Sequence, residues 1–292
     1  MAMLGASSDE QGTGPTVRRM ILGTQLRRLR EAAGLTRTEA GDSIRASDSK
    51  ISRLELGRVG FKERDVTDLL TLYGVTDADE RDQLLRLAKA TNLPGWWHAY
   101  NDLMPKWLED FVGLEEAANR IRTYELQFVP GLLQTEDYAR ALASHGDPKM
   151  VTDAVERRVA LRMRRQKLLV GPAAPRLWAV IDESVLHRPI GGAKVLKAQI
   201  DQLLELTTLS HIALQVVPYS VSGYHAEGAF TLLSFAEPEL PNIAYIEHLS
   251  GALYLEKLDE IETYSRALDQ LAVVGETPDR TRQLLAKRRA EI

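Results

Sequence analysis

The chain contains no cysteine, which removes disulfide scaffolds, thiolate zinc sites, iron-sulfur clusters and cysteine nucleophiles together. Long apolar runs are also missing: mean hydropathy is -0.23, and no stretch approaches the roughly 18 residues that a membrane span needs. The opening MAMLGASSDEQGTG has no Lys or Arg ahead of an apolar segment, so no signal peptide is expected and the expectation is a soluble, cytoplasmic protein. Internal repeats are absent, which argues against a solenoid. What is present is 292 residues, 44% of them hydrophobic, enough for about two packed domains.

A net charge of -4 argues against a nucleic-acid binder only if the charge is evenly spread, and it is not. From Thr16 to Gly60 there are ten basic and five acidic residues, whereas from Leu103 to the end 22 basic residues face 26 acidic ones. A basic head on an acidic body implies that the head alone meets an anion.

Residues 1–16, rich in small and polar types, bury too little to offset the entropy of ordering and are expected to form a flexible tail. Short helical patterns follow in series: Leu22, Leu26 and Leu29; Thr36 to Ile44; Ser47 to Leu56; Val66, Leu69, Leu70 and Tyr73; Leu84, Leu85, Leu87 and Ala88. They predict a five-helix bundle over residues 17–92, closed by Asn92-Leu93-Pro94-Gly95. Residues 93–292 mix periods. Helices are expected at Trp107–Ile121, Thr135–Ser144, Thr152–Leu169, Ala193–Leu209, Lys257–Ala272 and Pro278–Ala290. Strands are expected at Arg176–Ile181, Ile212–Val217, Ala229–Phe235, Ile243–Glu247 and Ala252–Glu256. Strands that cluster late, without regular alternation with helices, favour an α+β domain over a doubly wound sheet.

The sharpest signal is LGTQLRRLREAAGLTRTEAGDSIRASDSKISRLELG, residues 22–57. One amphipathic helix ends at Gly34, a second starts behind Thr36, Arg45-Ala46 makes a short turn, and a third starts behind Ser47. Leu35, Ala40, Ile44, Ile51 and Leu54 would pack the last two helices together, leaving polar residues outward in the first turn of the third. That is the layout of a helix-turn-helix DNA reader.

These residues resemble the Xre family of phage-repressor-like regulators. The resemblance implies an all-α helix-turn-helix head that binds double-stranded DNA as a homodimer, with reading residues Asp48, Ser49, Lys50, Ser52 and Arg53 behind the Ser47 cap. It also implies a bracing ion pair between Arg30 and Glu55. Arg53 can donate twice to a guanine edge and Ser49 can reach base or phosphate; Lys50 and Arg37 suit phosphates. The sequence departs from the family at two positions. Arg37 replaces the usual Gln, and Arg45 replaces the turn Gly, which requires an altered or strained turn.

Beyond the head, GWWHAY at 95–100, GLEEAANRIRTYELQFVPGLLQTEDYARAL at 113–142 and IEHLSGALYLEK at 246–257 resemble the antitoxin-like C-terminal region of WhiJ-type regulators. That implies modulation by a small protein encoded by an adjacent gene. Two alternatives stand beside it, an antitoxin that regulates its own synthesis and a repressor that responds to a metabolite. Trp97, Tyr100, Tyr124, Phe128 and Leu133 form a candidate partner or ligand surface, against the plainer reading of residues 124–135 as a strand-turn-helix core unit. Trp96, Trp97, Tyr100 and Trp107 are an aromatic cluster suited to tethering the two domains. Arg157, Arg158, Arg162, Arg164 and Arg165 read as a solvated basic helix face.

An enzyme is not expected. Asp182, Glu183 and His187 lie close in sequence but match no ligand spacing, Ser184 lacks a nucleophile elbow, and there is no Walker-type loop. No metal and no cofactor is expected.

Overall fold

The structure, a computed structural model, describes residues 14–146, 152–221, 226–238 and 240–292; residues 1–13 of the expected tail lie outside the described residues. Two compact units emerge. One comprises Met1–His98 with Val112–Ala117 and Glu237–Leu240, the other Ala99–Phe111, Ala118–Ala236 and Pro241–Ile292. Residues 93–98 therefore cluster with the helical unit.

The first unit is built on α1 (Pro15–Ala32), α2 (Arg37–Ser43), α3 (Asp48–Glu55), α4 (Glu63–Leu72) and α5 (Ala78–Thr91). Pro15 stands in the first turn of α1, where its missing N–H costs nothing. Thr36 and Glu39 close a capping box on α2, Ser47 accepts from the Lys50 N–H at the start of α3, and Asp77 does the same for Glu80 on α5. Leu22, Leu26, Ala40, Ile51, Leu54, Val66, Leu69, Leu70 and Leu84 form one buried core.

Four of these helices end in the same hydrogen-bonded cap. After α1, Gly34 N–H returns to Glu31 and Leu35 N–H to Arg30; after α2, Arg45 N–H returns to Asp42 and Ala46 N–H to Gly41. The ends of α3 and α4 repeat the pattern around Gly57 and Gly74. This Schellman geometry needs a left-handed residue, normally glycine. Gly34, Gly57 and Gly74 have φ of 71°, 65° and 74°, and Arg45 takes the same place at 54°, alone among the described non-glycine residues. The altered turn is thus an ordinary cap made by a residue with a Cβ.

The second unit is an α+β layer. Its six described strands, β1 (Arg120–Glu125), β2 (Arg176–Asp182), β3 (Ile212–Val217), β4 (Phe230–Ser234), β5 (Ile243–His248) and β6 (Gly251–Leu255), lie in the order β3-β2-β1-β4-β5-β6. β1, β2 and β3 run parallel, and β4, β5 and β6 add antiparallel. α7 (Glu136–Gly146) and α8 (Thr152–Gln166) link β1 to β2, and α9 (Ala193–Leu206) links β2 to β3, as parallel pairing requires. α10 (Leu258–Val274) buries Ile261, Leu268 and Leu271 against Tyr124, Val180, Val217, Phe230, Leu232 and Ala244. Leu177, Ala179 and Ile181, on the other face, are buried as well. α6 (Lys106–Ala117) precedes β1, and α11 (Pro278–Glu291) ends the chain behind its Thr277 cap.

β1 corrects the expected helix across Trp107–Ile121. The helix stops at Ala117, and Arg120–Glu125 is a central strand between β2 and β4. The other expected helices and strands of this region appear close to their expected bounds.

Candidate nucleic-acid interface

α3 is eight residues long, about 12 Å at 1.5 Å per residue. Ile51, Leu54 and Glu55 face inward and are buried, Lys50 and Ser52 are half-buried, and Ser47, Asp48, Ser49 and Arg53 are exposed. The outward residues fall on its first two turns, the part of a recognition helix that enters a major groove. The Arg53 Nε donates to the Ser49 carbonyl at 3.2 Å, which lays the side chain back along the helix with the rest of its guanidinium toward solvent.

Two cations assigned to phosphates already have protein partners. Lys50 Nζ stands 2.7 Å from Asp65 Oδ2 on the first turn of α4, with the lysine side chain 33% exposed. Arg37 Nε donates to Glu55 Oε2 at 3.3 Å. Glu55 is the hub of this arrangement, because it also accepts Arg30 Nε on Oε1 and Arg30 Nη2 on Oε2. Arg30 Nη1 continues to the Leu35 carbonyl at 2.7 Å, so one guanidinium joins α1, the turn before α2 and the last turn of α3. Asp65 lies 15 residues from Lys50, outside the motif, and nothing in the spacing announces it.

The close seating of α3 on α1 depends on Gly23. A methyl group there would stand 2.5 Å from the Leu54 carbonyl oxygen and 2.6 Å from that of Glu55, so the two backbones approach without side chains between them.

The candidate surface of the C-terminal region is corrected. Trp97, Tyr124 and Leu133 are buried, at 2%, 3% and 1% exposure, Tyr100 is half-buried, and only Phe128 stands out at 36%. Tyr124 belongs to the core under α10. Leu133 sits in a 3₁₀ turn, Gly131–Leu133, that amide side chains clamp from several sides. Gln199 Nε2 and Gln202 Nε2 donate to the Leu133 carbonyl, Gln199 Oε1 accepts from the Thr135 N–H, and Gln166 Nε2 donates to the Gly131 and Gln134 carbonyls. An apolar, aromatic Pro-Gly segment looks the same in sequence whether it lines a groove or passes through a core; here it is core. Trp97 belongs to the helical unit, as does Trp96, whose Nε1 donates to Glu116, while Tyr100 and Trp107 belong to the second unit.

The arginines of α8 are also not one solvated face. Arg157 pairs with Asp102 at 2.6 Å, Arg162 donates to Gln134 Oε1, and Arg165 lies over the Phe111 ring. Asp182 accepts from the Ser184 N–H and Glu183 from the Tyr219 N–H, with His187 Nε2 3.5 Å from Glu183. At the end of β1 the Glu125 carboxyl is pushed up to about 7, mainly by burial and next by Glu247, against the opposing pull of Arg162. No helix among the described residues is long and apolar enough to cross a membrane.

The fold and the exposed first turns of α3 define a helix-turn-helix protein, and residues 21–84 match the family described as a helix-turn-helix domain. Residues 108–287 match the family described as a domain of unknown function, DUF5753, and the chain belongs to that family. No curated protein and no solved structure matches the chain.

Proposed function

We propose that this protein is a transcriptional regulator of the Xre type that reads a specific DNA sequence through α3. The observation that carries the reading is the division of α3 into a buried seam, Ile51 and Leu54, and an outward group, Asp48, Ser49 and Arg53, within a segment, Thr16 to Gly60, that carries ten basic residues against five acidic. In this reading Arg53 and Ser49 meet base edges, while Lys50, Arg37 and Ser52 position the helix on the backbone. So short a helix spans few base pairs, so the protein acts as a homodimer on two half-sites about one helical turn apart.

The DUF5753 region is the modulating part, the receiver of a small partner protein or ligand that adjusts DNA binding in the cytoplasm. A non-catalytic role for it is supported by the carboxylates of Asp182 and Glu183, which bind backbone N–H groups.

Fluorescence anisotropy tests the reading, with a duplex from the gene's own upstream region against a scrambled duplex, across salt concentration. Preferential binding to the first, reduced in Arg53→Ala, is the expected result. Equal binding of both duplexes by the wild type at every salt concentration overturns sequence reading. Light scattering that gives only monomer with and without DNA overturns the homodimer.

A further inference from the structure

In the second unit, strand pairing brings three arginines together. Arg120 is in register with Arg176, and Arg122 with Trp178. Because strand residues alternate between faces, all four side chains leave the sheet on one side. With Ser210, His211 and Asp269 they line a cavity of about 470 Å³.

The electrostatics of this cavity are unbalanced. Arg122 has a side chain only 15% exposed. Its Nη2 donates to Ser265 Oγ at 3.1 Å, its Nη1 lies 3.6 Å from Asp269 Oδ1, and its Nε is buried with no hydrogen-bond partner. Burial holds the guanidinium below its ordinary pKa, and Arg120 adds to this against the pull of Asp269. Asp269 is 60% exposed, so water screens it. Arg120 and Arg176 are exposed and have no ion-pair partner among the described residues. An orphaned buried N–H is destabilising, and like charges that converge on it add to that cost, so the arrangement suits the binding of an anion better than a purely structural role.

We infer that this cavity binds a small phosphorylated ligand, with its phosphate held by Arg120, Arg122 and Arg176 and with Trp178 as the wall for any ring the phosphate carries. Three guanidinium groups against one carboxylate leave a surplus of two positive charges, which matches the roughly -1.5 to -2 of a phosphate monoester near neutral pH. The planar fork of arginine pairs with phosphate through two parallel hydrogen bonds. His211 is fixed by its Nε2 on the Leu169 carbonyl at 3.1 Å and serves as wall.

Isothermal titration of the full-length chain at constant ionic strength tests this, with sodium phosphate, AMP and sodium malonate as probes. Saturable binding of phosphate or AMP is expected, tighter than malonate and weakened at least tenfold in Arg120→Gln/Arg176→Gln. Both substituted residues are exposed, so the variant should keep the wild-type melting temperature. AMP tighter than phosphate identifies an organic phosphate with a stacking ring, and equal affinities identify inorganic phosphate. The inference is overturned if neither phosphate probe binds beyond a chloride control, if malonate binds more tightly than both, or if binding survives the double substitution, which would place the anion elsewhere on the chain.

Discussion

Arg30 holds Glu55 with two hydrogen bonds, Nε to Oε1 at 2.5 Å and Nη2 to Oε2 at 3.1 Å, and both side chains are almost wholly buried. The pair fixes the last turn of α3 to α1 from the side opposite the outward residues. Buried ion pairs bring little net stability when intact and a large penalty when halved.

Glu55→Leu strands Arg30 without its partner and should cost about 3–5 kcal/mol, whereas Arg30→Met/Glu55→Leu together should recover a large part of that loss. Arg37→Ala removes a partner that is 41% exposed and should cost less than about 1 kcal/mol. Urea denaturation of the three variants checks the order.

Arg45 occupies the left-handed position of the α2 cap. Relief of its Cβ exceeds the extra chain entropy of glycine by a small margin, so Arg45→Gly should stabilise the protein by up to about 1 kcal/mol. Arg45→Val, β-branched at positive φ, should destabilise it by about 1–3 kcal/mol. Thermal melts should rank Gly above Arg above Val.

On the proposed DNA surface, Arg53→Ala should cost roughly 1–3 kcal/mol of specific affinity and relax base preference, while Lys50→Ala weakens all sequences alike. Asp65 competes with phosphate for Lys50, so Asp65→Asn should tighten binding to both specific and scrambled duplexes and steepen the salt dependence by up to about one phosphate contact. Anisotropy titrations at several salt concentrations measure all three.

Gln199 is fully buried and serves both the Leu133 carbonyl and the Thr135 N–H. Gln199→Leu keeps much of the volume but removes two hydrogen bonds and orphans the Thr135 N–H, while Gln202 still reaches the Leu133 carbonyl. A loss of about 1–3 kcal/mol is expected, read from the urea midpoint.

Glu125 ties stability to pH. Its carboxyl titrates at about 7 in the folded chain against an ordinary 4.5. Between those values the folded protein keeps a proton that the unfolded chain has released. The contribution is therefore complete below 4.5 and is lost as pH rises through 7. Glu125→Gln should flatten the fall in melting temperature across that window and leave the variant more stable than wild type above it.

The helical head was almost wholly legible because its signals are local: Thr36 and Ser47 announce helix starts, and Gly34 an end, within a few residues of where they act. β1 was not. Its neighbours on both sides bury it, so alternation is blurred, and Arg120 and Arg122 give it the polarity of a surface segment. The apolar spacing of α6 also runs straight toward it. Burial of Tyr124 and Leu133 likewise depends on α10 and on glutamines of α8 and α9, which lie far away in the chain. The Lys50 to Asp65 contact is tertiary for the same reason.

The missing side chain at Gly23 separates two kinds of information in the head. Because the α3 backbone rests directly on the α1 backbone, the pose of the helix is set by main chain, by Ile51 and Leu54, and by Glu55 on Arg30, none of which points outward. Asp48, Ser49 and Arg53 contribute little to that pose. The surface therefore behaves as a holder with exchangeable type: those letters can be reset by drift or by design, and the changed protein would still present its new text at the same angle.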